Sequence, residues 1–364
     1  MDATVLRLPS YREEATAAMR TIGTGAPSPR TWLGEGLFTR VAGPDGVRNR
    51  ARIHGTPGPR WFGPERPVRQ VHGDASMFVG GLSALLLQSL HPLAMAAVAA
   101  HSGFRGDPWG RLQRTSTFLA TTTYGTAEHA QRACDQVRAV HERVRGVTAG
   151  GEPYRASDPH LLAWVHVAEV DSFLRAHQRY GLRPLSDAEC DGYVEDTARI
   201  AVALGIPDPP RTTKELAARL SAYRPELRAT PEARDTARFL LLSPPVPFVA
   251  RLPYCVLAAN AVSLLPDWAA TELRLPRLAV VDNLCVRPLG TAMTAAIRWA
   301  LVPTSARRSL RPPDVPVPVP RGLVAAPLRC RSRSAPDAPS PRGRSRWSAY
   351  RCRGPREPPS PTCP

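Results

Sequence analysis

Apolar residues recur at the three- and four-residue spacing of α-helices almost without interruption from Asp74 to Ala300. No stretch of comparable length alternates apolar and polar residues as half-buried strands do, and no internal repeat is present. The sequence therefore predicts an all-α fold, a single multi-helix domain. The predicted helices span residues 75–90, 93–102, 108–122, 127–146, 159–179, 187–204, 213–222, 231–242, 248–263 and 288–302. Only Leu278–Leu289 offers a plausible strand.

Capping signals divide this helical region into its elements. Three sites place a capping side chain just before a proline suited to the first helical position. They are Asp107-Pro108, Asp158-Pro159 and Thr230-Pro231. Two further sites, Ser186 with Glu189 and Thr212 with Glu215, have the spacing of a capping box. Gly205 stands where the helix that begins near Ser186 should end.

Composition suggests three regions. Residues 1–64 are predicted to form a partly irregular N-terminal arm, with a short helix at Tyr11–Thr21 and a Gly/Pro/Arg-rich stretch at Gly23–Pro67. Residues 65–304 form the predicted helical domain. Residues 305–364 lack periodicity and are rich in proline and arginine, so we expect a disordered tail. The abrupt change near Thr304 also raises the hypothesis of a frameshifted reading frame, which codon third-position bias would test.

The charge does not indicate a nucleic-acid-binding protein. Residues 305–364 hold 13 Arg and three acidic residues, a net of +10, which leaves +7 of the total +17 for the rest. Lys214 is the only lysine, so nearly all basic residues are arginine. This preference for arginine over lysine fits a GC-rich coding sequence better than a selected basic surface. The tail carries no recognisable binding motif. We therefore expect no nucleic-acid partner.

One segment is apolar enough to raise the question of a membrane. Met77–Ala100 has no formal charge and the length of a span, but it contains Ser83, Gln88, His91 and Pro92. We interpret it as a buried pair of core helices, so membrane association is not expected. The N-terminus has no apolar signal-peptide core, and the seven cysteines show no CxxC spacing. These features predict a cytoplasmic protein.

Polar side chains lie on the apolar faces of successive predicted helices, where an unpartnered polar group is costly. His141 lies on the stripe of Ala130, Cys134 and Val137, and is either a satisfied core residue or a ligand. The side chains of Arg111, Arg114 and Thr115 share a helix face with Phe118. This face is either a carboxylate clamp or an exposed surface. His91 before Pro92 marks either a structural turn or a carbonyl-lined pocket.

His166 and Glu169 lie on one face of the helix from Pro159, and Asp171 lies on another. His166 and Glu169 could form a hydrogen-bonded pair or ligate a non-haem metal. Absence of any Glu-x-x-His motif weakens a di-iron interpretation. The remaining histidines are expected at the surface or in loops: His72, His101, His129, His160 and His177. Motifs of serine hydrolases, P-loop enzymes, dinucleotide-binding folds and zinc proteases are absent.

Four segments together resemble the rubber oxygenase (latex clearing protein) and MpaB-like oxygenase family. They are GDASMFVGGLSALLLQSLHPLAMAAVAAHSGF, DPWGRLQRTSTFLATTTYGT, VRAVHERVRG and YRASDPHLLAWVHVAEVDSFLRAHQRYG, and the resemblance spans roughly residues 65–300. It implies a globin-like helical core that holds haem b. It also implies dioxygen-dependent cleavage or oxidation of carbon–carbon double bonds in a hydrophobic substrate, with isoprenoids as the expected class.

The resemblance assigns roles to individual residues. His141 matches the proximal iron ligand, and Arg111, Arg114 and Thr115 match the family's distal arginine, lysine and threonine. Arg111 and Arg145 are expected to help bind the cofactor. His91, His166, Glu169 and Asp171 are given supporting or structural roles.

Arg114 departs from the family pattern, which has a lysine at this position that can ligate iron. A guanidinium stays protonated and has no lone pair for iron, so we expect five-coordinate or water-ligated iron. The departure also weakens the expectation that this protein cleaves rubber. A non-catalytic haem or lipid carrier on the same fold is the alternative function. The sequence does not predict an oligomeric state.

Overall fold

The computed structural model describes residues 28–101, 103 and 106–301, and the fold in this part of the chain is all-α as predicted. The helical segments predicted from residue 75 onwards are present, with boundaries that shift by a few residues. The predicted helix at Tyr11–Thr21 and the 305–364 tail lie outside the described residues. The elements are α1 Pro29–Ala42, α2 Gly46–Gly55, α3 Pro67–His72, α4 Met77–Gln88, α5 Pro92–His101, α6 Pro108–Tyr124, α7 Ala127–His141, β1 Arg145–Val147, β2 Pro153–Arg155, α8 Pro159–Tyr180, α9 Asp187–Leu204, α10 Thr213–Tyr223, a 3₁₀ turn Arg224–Glu226, α11 Pro231–Leu242, α12 Phe248–Leu264, α13 Asp267–Glu272, α14 Ala279–Val281, a π-helical turn Asp282–Val286 and α15 Arg287–Leu301.

The capping residues read from the sequence begin and end these helices. The Asp107, Asp158 and Thr230 side chains each accept a hydrogen bond from a backbone N–H in the first turn of α6, α8 and α11. Ser186 and Glu189 form the predicted reciprocal capping box, and Gly205 ends α9 in the left-handed region at φ 101°. The second predicted box forms only in part. Glu215 accepts from the backbone of Arg211 instead of Thr212.

Three predictions of local structure are wrong. The predicted strand at Leu278–Leu289 is helical, with a π-helical turn, because its backbone groups bond within the segment and no neighbouring strand is available among the described residues. The helix predicted to residue 146 ends at His141, and a β1–β2 hairpin follows it around Gly151, whose φ is +84°. The predicted irregular stretch near the N-terminus contains α1, which the Ser28 side chain caps, and α2.

The core is built around α8, which packs most extensively on α4. Trp164 is fully buried in this interface, and its indole N–H donates to the Gln88 carbonyl at 3.1 Å. Gly80 allows the close approach, because a Cβ atom there would lie 2.8 Å from the Phe173 ring. The interface therefore depends on both large and very small residues.

The most apolar segment of the chain is folded back into this core. Helices α4 and α5 meet at a 108° bend at the His91-Pro92 break, as proline there removes a backbone donor. Among the described residues, no single helix is long and apolar enough to cross a membrane. Only this bent pair has the required length and apolar composition when its two helices are taken together. Most of α4 is buried, which supports the interpretation of a core helix pair.

Candidate functional site

A partly accessible stripe runs along the otherwise buried middle of α8. Val165, His166 and Glu169 share one helix face with Leu162, at the i, i+3, i+4, i+7 spacing, and each keeps some accessible surface. Nevertheless, burial lowers the pKa of His166 to about 4 and raises that of Glu169 to about 7. Two titratable side chains and two apolar ones thus share a half-buried face of α8. We call this stripe the α8 wall.

The hairpin of α6 and α7 provides a second apolar surface. The two helices pack on each other, and they rest on α3 and α9, while the main partners of α8 are α4, α9 and α10. On the α6 side, Phe118 and Leu119 are partly buried against the main core, as are Leu162 and Val165 of the α8 wall.

His141 lies at the last residue of α7, on the same stripe as the fully buried Ala130 and Cys134. Its Nδ1 atom is buried without a hydrogen-bond partner in the described part of the chain. Burial lowers the pKa of His141, against the opposing charge of Glu142. The ring is therefore neutral at physiological pH, and a neutral imidazole with an unsatisfied nitrogen is suited to ligating a metal.

The three residues expected on the distal side differ in their environments. Arg111 is partly buried, and burial together with Arg114 lowers the pKa of its guanidinium. Arg114 is largely exposed, and its Nη1 lies 3.4 Å from the Asp107 carboxylate. The exposed Thr115 donates its hydroxyl hydrogen to the Arg111 carbonyl, at 3.0 Å. Of the three, Arg111 is the one that burial affects.

Of the two alternatives left open for His166 and Glu169, the hydrogen-bonded pair does not form. The His166 Nε2 atom is buried without a hydrogen-bond partner among the described residues, and burial alone shifts the pKa of both groups. Asp171 lies on another face, as expected, and accepts from Arg175 Nε at 2.7 Å. Asp171 thus has a local structural role, whereas His166 and Glu169 belong to the half-buried α8 wall.

The other two predicted residues lie apart from these. Arg145 is exposed at the start of β1, because α7 has ended four residues earlier. His91 is buried at the α4–α5 bend, and its Nε2 atom lies 3.4 Å from the Glu226 carboxylate. The structure thus gives His91 an acidic neighbour that the sequence did not indicate.

Two histidines that we expected at the surface are internal. His72 Nδ1 lies 2.8 Å from the Thr123 hydroxyl, and burial lowers the pKa of the ring to about 4. The Tyr193 hydroxyl lies 3.4 Å from His72 Nε2, and burial, with a further contribution from Glu169, raises the pKa of this tyrosine well above its usual value. His177 is fully buried against Arg183 and Gln70. His177 follows the apolar Phe173 by one helical turn, and this spacing could have predicted its burial.

The described residues form an all-α fold, and the middle of α8 carries a half-buried face of apolar and titratable side chains. Residues 69–299 match the family described as ER-bound oxygenase mpaB/B'/rubber oxygenase, catalytic domain. The match covers more than half of the chain, so this protein belongs to that family and the resemblance is confirmed. The matched region is the catalytic domain of that family.

Two individual relatives are similar to this chain over a shorter region than the family match. An uncharacterized protein of Mycobacterium bovis and one of Mycobacterium tuberculosis are each 32% identical to this chain over 102 residues. The aligned part is 28% of this chain and 39% of each relative. The chain therefore spans less than half of the length of these curated relatives. No solved structure matches it.

Proposed function

We propose that this oxygenase binds haem b through His141 and oxidises a hydrophobic alkene, of the isoprenoid class, with dioxygen. The observation that carries the proposal is the His141 side chain, a neutral imidazole at the end of α7 whose buried nitrogen has no partner among the described residues. Haem is commonly ligated by such a histidine, and the bound iron supplies the centre for oxygen chemistry.

The chain's own residues have separate tasks in this proposal. The apolar side chains of the α8 wall and of α6 bind the alkene and exclude water from it. Arg111 offers hydrogen-bond donors in a partly buried position, where a charge interacts strongly with a polar ligand. Glu169 has a pKa near neutrality, so its carboxyl group can hold or release a proton at the α8 wall.

A visible absorption spectrum with a pyridine haemochrome assay tests the cofactor. We expect near-stoichiometric haem b in the wild-type protein and loss of haem in His141→Ala. The matched control is His129→Ala, because His129 lies on the same helix and also has a buried Nδ1 without a hydrogen-bond partner in the described part of the chain. Haem retention in His129→Ala with loss in His141→Ala supports the ligand assignment. Full occupancy in His141→Ala overturns it.

Oxygen uptake with a prenyl-chain substrate tests the reaction separately. Substrate-dependent uptake by the haem-loaded protein supports oxidation of an alkene. A haem-loaded protein that consumes no oxygen with such chains contradicts this part of the proposal and favours a carrier on the same fold.

A further inference from the structure

Three potential metal ligands from distant segments meet on one side of the core. His91 comes from the α4–α5 bend, His160 from the first turn of α8, and Glu226 from the 3₁₀ turn after α10. The Glu226 Oε2 atom lies 2.8 Å from His160 Nε2 and 3.4 Å from His91 Nε2. One ligand atom from each residue lies within 4.8 Å of the other two.

His91 is the residue that most needs a partner. Its side chain is 4% exposed, and neither ring nitrogen has a hydrogen-bond partner in the described part of the chain. The 3.4 Å approach to Glu226 does not have the geometry of a hydrogen bond. Leaving a buried polar group unsatisfied is costly, because the group loses its water without gaining another partner. A ligand at His91 Nε2 removes the part of this penalty that belongs to Nε2.

The surroundings of His160 orient its ring for ligation. The Tyr223 hydroxyl donates to the His160 carbonyl at 2.8 Å, and its oxygen also lies 3.4 Å from His160 Nδ1. The 2.8 Å contact of His160 Nε2 with Glu226 Oε2 is a hydrogen bond, so Nε2 carries a proton in the metal-free protein. A cation that binds Nε2 displaces this proton, and the Tyr223 hydroxyl oxygen can then accept from Nδ1–H.

We propose that His91, His160 and Glu226 bind a divalent transition-metal cation of the zinc type. Two imidazole nitrogens and one carboxylate oxygen form a donor set that Zn²⁺ accepts, whereas Mg²⁺ and Ca²⁺ prefer oxygen alone. Ligand atoms at about 2.1 Å from a tetrahedral Zn²⁺ are about 3.4 Å apart, so small rotations suffice to close the site.

The site is open on one side. The side chains of His160 and Glu226 are 54% and 42% exposed, respectively. A bound cation therefore keeps at least one position for water or another ligand. It also links three segments that hydrogen bonds already connect in pairs: Arg228 N donates to the Leu90 carbonyl, and the Tyr223 hydroxyl donates to the His160 carbonyl. Metal binding is thus expected to stabilise the core, independently of haem.

The test is a calorimetric titration of Zn²⁺ into the full-length protein after EDTA treatment, with Mg²⁺ as the control cation. We expect one tight Zn²⁺ site in the wild type, and at least tenfold weaker binding in both His160→Ala and Glu226→Gln. These two exposed positions are chosen because substitution of the buried His91 can impair folding. Matched controls are His101→Ala and Glu128→Gln, at an exposed histidine and an exposed glutamate outside the cluster.

Zinc K-edge absorption on the wild-type complex identifies the donor atoms. A shell of nitrogen and oxygen that includes two imidazoles supports the site. A sulfur shell at about 2.3 Å places the metal on cysteines and overturns the proposal. No tight Zn²⁺ binding in the wild type, or unchanged affinity in both variants, overturns it as well.

Discussion

Asp74 and Arg298, 224 residues apart, form a two-pronged ion pair with nitrogen–oxygen distances of 2.7 and 2.9 Å. Both side chains are largely shielded from solvent, and the Arg298 guanidinium also donates to the Tyr180 carbonyl. The pair therefore fixes α15 to the turn before α4 and to the end of α8. It is a contact that joins the last described helix to the central α4–α8 packing.

Asp74→Asn is expected to lower the free energy of unfolding by about 3 kcal/mol, because it leaves the Arg298 charge buried without its partner. Chemical denaturation at neutral pH measures this loss. The control is Asp45→Asn, which removes an exposed ion pair with Arg48 and should change stability by less than about 1 kcal/mol. Equal effects of the two substitutions would contradict the assigned role.

The same pair gives a defined acid response. Burial opposes ionisation of Asp74, but hydrogen bonds from Arg298 and Ser76 outweigh it and hold the pKa at about 2. Because this pKa is below the unfolded value, the stabilisation is present above about pH 4 and is lost as the pH falls towards 2. Denaturation curves of the wild type and Asp74→Asn should converge over that interval. A constant difference between them would exclude Asp74 as the titrating group.

Gly80 and Gly81 provide a matched pair of substitutions in α4. A Cβ atom at Gly80 would meet Phe173 at 2.8 Å and Ala176 at 3.0 Å, whereas one at Gly81 would lie 3.7 Å from the Phe173 ring. Gly80→Ala is expected to destabilise the fold by about 1–3 kcal/mol through overpacking. Gly81→Ala should be neutral or stabilise it by up to about 1 kcal/mol, since alanine favours the helix. Thermal unfolding of both variants checks this difference, and a reversed order would contradict the α4–α8 packing.

Glu169 should make stability depend on pH near neutrality. Its folded pKa of about 7 exceeds the ordinary 4.5, so its stabilising contribution is present below about pH 4.5 and lost as the pH rises to 7. Relative to Glu169→Gln, which cannot ionise, the wild type should lose up to about 3 kcal/mol between pH 4.5 and 8. Urea denaturation across this range measures the difference. An unchanged difference would show that Glu169 titrates normally.

Arg114→Lys restores the lysine that the family has at this distal position. This prediction rests on the proposed haem binding. The ammonium group can lose its proton and ligate iron, which the guanidinium cannot do. We expect a five-coordinate or water-ligated resting spectrum in the wild type and a six-coordinate, nitrogen-ligated one in Arg114→Lys at alkaline pH. Arg132→Lys on the exposed side of α7 is the control. A nitrogen-ligated spectrum in the wild type would contradict the prediction.

The sequence predicted local structure well, because caps and apolar periodicity act over a few residues. Asp158 begins α8, and the spacing of His166 and Glu169 placed them on one face. It could not place His72 beside Thr123 or Glu226 beside His91, since these contacts join segments far apart in the chain. The π-helical turn at Asp282–Val286 was missed for a different reason: a short apolar run suits a strand and a buried helix equally well.

The bend at His91-Pro92 also bears on how the chain is made. Until α8 is synthesised, the apolar α4 segment lacks its main packing partner. The interval from the end of α5 to the end of α8 is roughly 80 residues, or about 4–16 s of translation at ordinary elongation rates. During that time the nascent chain displays a stretch resembling a membrane anchor. Because Pro92 interrupts helical hydrogen bonding locally, we expect this stretch to form two short helices, not one continuous rod, even before α8 is made.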